Sequence, residues 1–363
     1  MSDVALDVRP LQGGDGDRGV GSYVRTLSSL ASIRRVVAWA GLELPLLGRE
    51  VTVVRVPGRP RSGRLGWAQD AAVSSAALRS AAVHVPTLNV GFGANPRLLT
   101  VHDAIPWRFP LLYPSGRIGA LRRKVEAGMA RRAQRVVTDS HASADDLVTN
   151  LGVQSARIEV IPLAADPDWC ESAPADVAAV RVRHQLPERY VVASGGFAHH
   201  DPRKRLEDAV DALALLPDDV ALAITGKDGT FSGPLIERVR SLGLGQRVHL
   251  TGQLSGPDLS ALFTGASVFV FPSLWEGFGL PLLHAFRCGV PAVVSDGGAL
   301  PEVGGGAALV HPVGDVGELA AAVRAVLEDR VLAAELRARG VARAGDFCRA
   351  KALAAHEEIY ASF

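Results

Sequence analysis

Two hydrophobic periods alternate along this chain. Short runs of β-branched and aliphatic residues recur between longer stretches in which apolar positions return at helical spacing, the pattern of βαβ units around parallel sheets. In the first half the runs predict strands over Val4–Val8, Val36–Ala40, Val51–Val56, Ala82–Val85, Leu98–His102, Arg135–Thr138 and Ile158–Ile161. Periodicity lapses between Pro162 and Pro187, a stretch that also carries Pro167 and Pro174, so an interdomain linker and hinge is expected there. A second series of strands follows at Tyr190–Ser194, Ala221–Thr225, Val248–Thr251, Val268–Phe271, Ala292–Val294 and Ala308–Val310, and from Val316 the chain reads as helix to its end. Ser143 with Asp146 resembles a capping box for a helix running toward Leu151, with Gly152 as its stop. The fold class is therefore α/β, with two Rossmann-like doubly wound domains facing a cleft where ligands bind outside the carboxyl ends of the strands.

Composition agrees and adds limits. A chain of 363 residues favours two domains over one, and 48% hydrophobic with 21% charged residues fits a globular protein. The net charge of +1 gives no overall reason to expect a nucleic-acid partner. That average hides an asymmetry, because residues 1–167 hold 21 Lys and Arg against 14 Asp and Glu, whereas the remainder holds 18 against 24. Cys170, Cys288 and Cys348 match neither a disulfide framework nor zinc-ligand spacing, so a reducing compartment is expected. Asp3 and Asp7 stand where a signal peptide needs basic and then apolar residues, and no apolar run approaches a membrane span. The expected location is cytoplasmic, with peripheral contact at the inner membrane face as a further expectation.

The most informative stretch is Phe271-Pro-Ser-Leu-Trp-Glu-Gly-Phe-Gly-Leu-Pro-Leu-Leu-His-Ala-Phe-Arg-Cys-Gly-Val-Pro. A strand ends, a glycine-rich turn follows, and a helix begins near Pro281, which suits a first helical turn because it has no N–H to leave unbonded. The backbone amides of Gly277, Phe278, Gly279 and Leu280 then face whatever lies over the helix N-terminus, and the helix dipole favours an anion there. Glu276 stands just before them, able to accept hydrogen bonds from sugar hydroxyls. The plainer reading of this stretch is an ordinary strand-to-helix turn.

This run resembles the donor-site signature of the family 4 retaining glycosyltransferases, which have the two-Rossmann GT-B architecture. Further stretches resemble the same family in the same order: Arg18-Gly-Val-Gly-Ser-Tyr, Thr100-Val-His-Asp-Ala-Ile-Pro, Thr138-Asp-Ser-His-Ala-Ser, Val160-Ile-Pro-Leu-Ala-Ala-Asp, Gly195-Gly-Phe with Asp201-Pro-Arg-Lys-Arg-Leu, and Leu300-Pro-Glu-Val. The resemblance implies that Glu276 contacts the transferred hexose and that Arg203 and Lys204 hold the donor diphosphate. A guanidinium and an ammonium suit a pyrophosphate leaving group. Their plainer reading is a solvated first helical turn, as expected for Arg205. His284 stands where the family carries a second Glu for the nucleotide ribose, and an imidazole lacks the two-oxygen grip of a carboxylate.

The glycine loop through Gly19 and Gly21, before a helix expected near Ser22, is implied to lie beside the donor phosphates and acceptor. Asp15 and Asp17 within it form an Asp-x-Asp, and the resemblance predicts no required metal. His102, with Asp103 beside it, ends a strand at the expected cleft edge, where the family places a His near the transferred sugar; lone histidines are more often structural. Arg117, Arg122, Arg123, Lys124, Arg131, Arg132 and Arg135 crowd a segment whose only acid is Glu126, with Ile118, Leu121, Val125 and Met129 at helical spacing. This basic helix over 117–135, with Arg55, Arg59, Arg61 and Arg64, can dock on an anionic membrane or bind a phosphorylated lipid. Packing its apolar face on its own domain is the plainer alternative.

The sequence reading is thus a hexosyltransferase, retaining and metal-independent, with no cofactor beyond a nucleotide-diphosphate sugar as co-substrate, mannose-like by resemblance, and a glycan, glycolipid or other hydroxyl acceptor. Residues 1–167 are expected to bind the acceptor and 168–345 the donor, with 346–363 a helix crossing back to the first domain. A protein that binds nucleotide sugars without transfer, and a sugar-nucleotide epimerase, are the competing readings.

Overall fold

The computed structural model describes residues 4–12, 19–45, 47, 50–56, 82–88, 97–166, 168–195, 201–227 and 233–363. Arg18, Asp15, Asp17, Arg59, Arg61, Arg64, Gly196 and Phe197 of the sequence reading lie outside them. The chain divides into two compact units, residues 1–163 with 349–363, and residues 164–348.

The first unit is a parallel sheet of seven strands: β1 (Val4–Asp7), β2 (Arg35–Trp39), β3 (Thr52–Val56), β4 (Ala82–Val85), β5 (Leu98–Thr100), β6 (Arg135–Thr138) and β7 (Ile158–Val160), in the order β3-β2-β1-β4-β5-β6-β7. Alternation along the strands sends Val4, Leu6, Val36, Ala38, Leu98 and Val137 into one core and Ala5, Val37, Val83, Leu99 and Val136 into another. Both faces are thus covered, as parallel sheets require. Described helices of this unit are α1 (Gly19–Ser28), α2 (Ile105–Arg108), α3 (Arg117–Arg132) and α4 (His141–Asp146).

The second unit repeats the plan with β8 (Tyr190–Ser194), β9 (Ala221–Thr225), β10 (Val248–Gly252), β11 (Val268–Phe271), β12 (Ala292–Ser295) and β13 (Ala308–His311), ordered β10-β9-β8-β11-β12-β13. Its helices are α5 (Pro174–Arg183), α6 (Leu206–Leu213), α7 (Gly233–Ser241), α8 (Gly256–Thr264), α9 (Leu280–Arg287), α10 (Leu300–Gly304), α11 (Val316–Glu328) and α12 (Arg330–Asp346). The last helix, α13 (Arg349–Ala361), belongs to the first unit, where Tyr360 is fully buried and Leu353 and Ile359 pack on the core.

Three local expectations are corrected. The stretch Pro162–Pro187 is not a bare linker, because Pro174 fills the first turn of α5 and the segment before it is fastened to the second unit by bonds such as Ala165 N–H to the Phe347 carbonyl at 2.9 Å. The helix before Gly152 is capped by Ser140, one turn earlier than expected, whose hydroxyl accepts from the Ser143 N–H; it continues as a π-turn over Leu147–Leu151 to Gly152 at φ 73°. The helix after the first glycine loop starts at Gly19, placing Gly19 and Gly21 inside its first turn.

Candidate functional site

In the second unit β8 and β11 are neighbours at the point where the strand order reverses, so the segments leaving their carboxyl ends flank the crevice of the sheet. Arg203 and Lys204 follow β8, on a 3-10 turn (Pro202–Lys204) capped by Asp201. Glu276 follows β11 and meets both, with Oε2 2.7 Å from Arg203 Nη1 and Oε1 2.8 Å from Lys204 Nζ. Burial opposes a charge on Glu276, yet Arg203 and Lys204 outweigh it and hold the carboxyl at about 2. Burial also dominates at Lys204, where it lowers the ammonium below its usual range against the pull of Glu276.

The two cations differ in what else they do. Arg203 donates to the Trp275 carbonyl at 2.6 Å and to Asp201 Oδ2 at 3.0 Å, while its own carbonyl accepts from Leu274 N–H at 2.7 Å. It is a strut between the two loops. Lys204 rests over the Phe271 ring at 4.7 Å, and the one hydrogen bond of its ammonium among the described residues is to Glu276.

The loop after Glu276 is shaped by glycine. Gly279 caps α9 at φ 107°, and a Cβ there would fall 2.8 Å from the Leu300 side chain. Pro281 occupies the first turn as expected, so the amides at this helix start form the anion-favouring end of the dipole. Phe278 is an anchor, buried edge-on against Phe347. Glu276 is braced from behind by Gly297-Gly298: its carbonyl accepts from Ala299 N–H at 2.9 Å, and a Cβ on Gly298 would lie 2.4 Å from that carbonyl oxygen.

His284 is placed elsewhere. Its ring is stacked between Trp169 and Phe263, with centroids at 4.5 and 4.6 Å, and its Nε2 pairs with Ser260 Oγ at 3.2 Å. It is 3% exposed, and burial pushes its pKa down to about 3, so it is a neutral ring in an aromatic sandwich. Among the described residues it makes no contact with the Arg203–Lys204–Glu276 cluster. Arg205, expected to be simply exposed, is partly covered and pairs with Asp208 at 2.6 Å.

In the first unit His102 leaves β5 and Asp139 leaves the neighbouring β6, which brings His102 Nδ1 within 2.8 Å of Asp139 Oδ2. Ser143 Oγ donates to the His102 carbonyl at 3.0 Å, and Asp103 Oδ1 accepts from Ile105 N–H at 3.0 Å, at the start of α2. Burial acts against charge on His102, but Asp139 and Asp103 together raise its pKa. Beside it lies a cavity of about 410 Å³, lined by Asp103, Trp107, Arg122, Arg123 and Glu126, and by Val20 from between Gly19 and Gly21.

The basic helix α3 therefore divides its work. Ala127, Met129 and Ala130 pack into the core, Arg122 and Arg123 line the cavity, and Leu121 is 54% exposed, so the predicted apolar stripe is buried only over its later half. Arg122 pairs with Glu126 at 2.7 Å, and burial raises the Glu126 carboxyl against the influence of that arginine.

Two family descriptions match this chain consecutively: Glycosyltransferase Family 4 over residues 18–169, and Glycosyl transferases group 1 over residues 183–344. The chain belongs to glycosyltransferase family 4. Among curated relatives it is 29% identical over 269 residues to O-antigen chain mannosyltransferase B of Escherichia coli, covering 73% of this chain and 70% of that one. It is 32% identical to the MMP alpha-(1->4)-mannosyltransferase of Mycolicibacterium hassiacum (64% of this chain, 57% of the relative) and 31% identical to the 2-deoxystreptamine glucosyltransferase of Streptomyces kanamyceticus (67% and 64%). The match thus spans less than two thirds of the last two relatives. Solved structures of the same GT-B fold include sucrose-phosphate synthase from Thermosynechococcus elongatus, with a TM-score of 0.77 at 22% identity, and Anabaena HepE in complex with UDP and glucose, with 0.76 at 21%, each covering all of both chains.

Sequence reasoning missed several residues in this family 4 chain. Asp139 sat inside a quoted motif without a role, although a carboxylate directly after a strand was its signal. Gly297-Gly298 follows β12 as a tandem pair, the usual mark of close backbone approach. Tyr23 likewise closed the Arg18-Gly-Val-Gly-Ser-Tyr stretch without a role, and Trp107 carried no sequence signal, because only the sheet order brings their elements to His102.

Proposed function

We propose that this chain is a retaining hexosyltransferase that uses a nucleotide-diphosphate sugar, mannose-like in its hexose, to glycosylate a glycan, glycolipid or other hydroxyl acceptor without a required metal. The observation that carries the reading is the Lys204–Glu276 pair at the switch point, in front of the amides that begin α9. Asp201, Arg203, Lys204 and Glu276 balance in charge, so a diphosphate needs a cation released to it. Hexose hydroxyls competing for Glu276 would release Lys204 toward the phosphates, while Arg203 stays as the strut. The mannose-like choice is supported by relatives that carry mannosyltransferase names. Residues 164–348 take the donor on this reading and the first unit takes the acceptor, with its hydroxyl in the cavity beside His102. The cavity's aromatic face and its mixed charges, Trp107 with Asp103, Glu126, Arg122 and Arg123, suit a sugar-bearing acceptor. Leu111, 93% exposed, and Leu121 supply the feature that supports peripheral contact with an anionic membrane.

The test is a panel of GDP-, UDP-, ADP- and dTDP-sugars with EDTA, following thermal shift and diphosphate release together. A shift with one base, and release that grows with acceptor, is expected. Binding without release would favour the non-transferring reading, and a changed sugar without acceptor the epimerase. Lys204→Ala is expected to weaken donor affinity about tenfold or more in calorimetry while the fold is retained, since a charge-assisted contact to phosphate is lost. The ribose contact implied for His284 is supported least by the geometry. His284→Glu would bury a carboxylate between Trp169 and Phe263, and is expected to lower Tm without tightening nucleotide binding; tighter binding would restore the ribose assignment.

A further inference from the structure

Five buried side chains from four elements of the first unit form one continuous hydrogen-bond chain. Tyr360 Oη of α13 lies 2.7 Å from His84 Nδ1 on β4, and His84 Nε2 lies 2.7 Å from Thr100 Oγ1 on β5. Thr100 Oγ1 is 2.9 Å from Tyr23 Oη on α1, and Tyr23 Oη is 2.8 Å from His356 Nε2, again on α13. His356 Nδ1 ends the chain 2.7 Å from the Ala352 carbonyl. All five residues are at most 8% exposed.

The proton direction follows from the end point. A carbonyl only accepts, so His356 Nδ1 carries a proton; with a neutral ring its Nε2 must accept, and the Tyr23 hydroxyl donates to it. Tyr23 oxygen then accepts from Thr100, Thr100 accepts from His84 Nε2–H, and His84 Nδ1 accepts from Tyr360. Burial depresses the basicity of both rings, most strongly at His84, in agreement with two neutral imidazoles. The Thr100 and Tyr23 hydroxyls and both imidazoles are thus each used once as donor and once as acceptor, all in one direction, with the Tyr360 hydroxyl donating at the head of the chain. Such a chain fixes the rotamers of its members, because reversing any one link strands a buried donor or acceptor.

Tyr23 is the link that reaches beyond the chain. Its ring stands edge-on to the His102 imidazole at 5.0 Å, with the rings at 86°. It also sits on α1, whose first turn holds Gly19 and Gly21. We infer that Tyr23 and His356 are positioning residues, and that the C-terminal helix sets the orientation of His102 and of the α1 start through the ordered chain Tyr360–His84–Thr100–Tyr23–His356. The inference rests on the transferase reading for its kinetic consequence, but not for its structural one.

The experiment uses the full chain with 15N-labelled histidine. Imidazole spectra are expected to find His84 with its proton on Nε2 and His356 with its proton on Nδ1, unchanged between pH 5.5 and 8, roughly the range over which an ordinary histidine titrates. The opposite tautomer at either ring would overturn the chain. Tyr23→Phe keeps the ring against His102 and removes only the link, so the His102 resonances should move, and kcat should fall about tenfold with donor KM within about twofold. His356→Leu should reproduce both effects, whereas His356→Gln, whose amide oxygen can accept from Tyr23, should restore most of the rate. Wild-type His102 signals and kcat in both Tyr23→Phe and His356→Leu would refute the coupling. If the wild-type chain transfers no sugar at all, the functional reading fails, and the His102 resonances of these variants still decide the inference.

Discussion

Glu276 remains an anion in a space that burial makes hostile to charge, because Arg203 and Lys204 each take one of its oxygens. Its folded-state pKa lies below the ordinary 4.5, so the stability it contributes is complete above pH 4.5 and is lost as pH falls toward about 2. Glu276→Gln should therefore cost stability at pH 7, where it leaves two buried cations with half their partners, and the gap to wild type should narrow across that acid range in thermal melts. A constant gap from pH 7 to pH 2 would mean that the ion pairs contribute nothing. The position of Glu276 was legible in the sequence, since a glycine-rich turn and a proline mark the strand-to-helix junction behind it. The division of labour between the two cations was not, because Arg203's tie to the Trp275 carbonyl depends on how two loops distant in sequence pack. His284 teaches the same lesson: spacing placed it on α9, but Trp169 and Phe263 decide what its ring touches.

At the level of elements, the strands were legible almost residue for residue, because a buried parallel strand needs an unbroken apolar run and little else. The errors fell at helix starts and connections. Ser140 rather than Ser143 caps α4, and Ser143 instead donates to the His102 carbonyl, so a motif read as local structure turns out to brace the site. Pro174 was read as a breaker and is a first-turn residue. The loop between β12 and α10 carries the sharpest element-scale prediction. Gly298 has φ 67° and faces the Glu276 backbone, so Gly298→Ala must both strain its own dihedral and displace Glu276. Backbone strain of this kind costs about 1–3 kcal/mol. A lower Tm together with weakened nucleotide-sugar binding is expected; a variant that loses stability but binds normally would show that the brace does not set the carboxylate.

For the whole molecule, the consequential fact is that the last helix belongs to the first unit. Removing residues 349–363 deletes Tyr360 and His356, opens the core that Leu353 and Ile359 cover, and strips His84 Nδ1 and the Tyr23 hydroxyl of one partner each, leaving both bonded to Thr100 alone within the hydrogen-bond chain. Calorimetry of the truncated chain should find the transition of the first unit lowered by many degrees while that of residues 164–348 is retained; unchanged melting would mean that α13 is only draped on its unit. By itself the sequence determined two parallel α/β sheets, the strands within them and the loops that carry the candidate site, because period, glycine and proline act over short separations. Tertiary structure alone decided which charges meet at Glu276, that His284 is enclosed, that Asp139 and Tyr23 converge on His102, and which side chains bond α13, the helix expected to cross back, into the first unit. Those contacts join elements whose neighbours are set by sheet order, and sheet order is fixed by how the whole core packs rather than by any one segment.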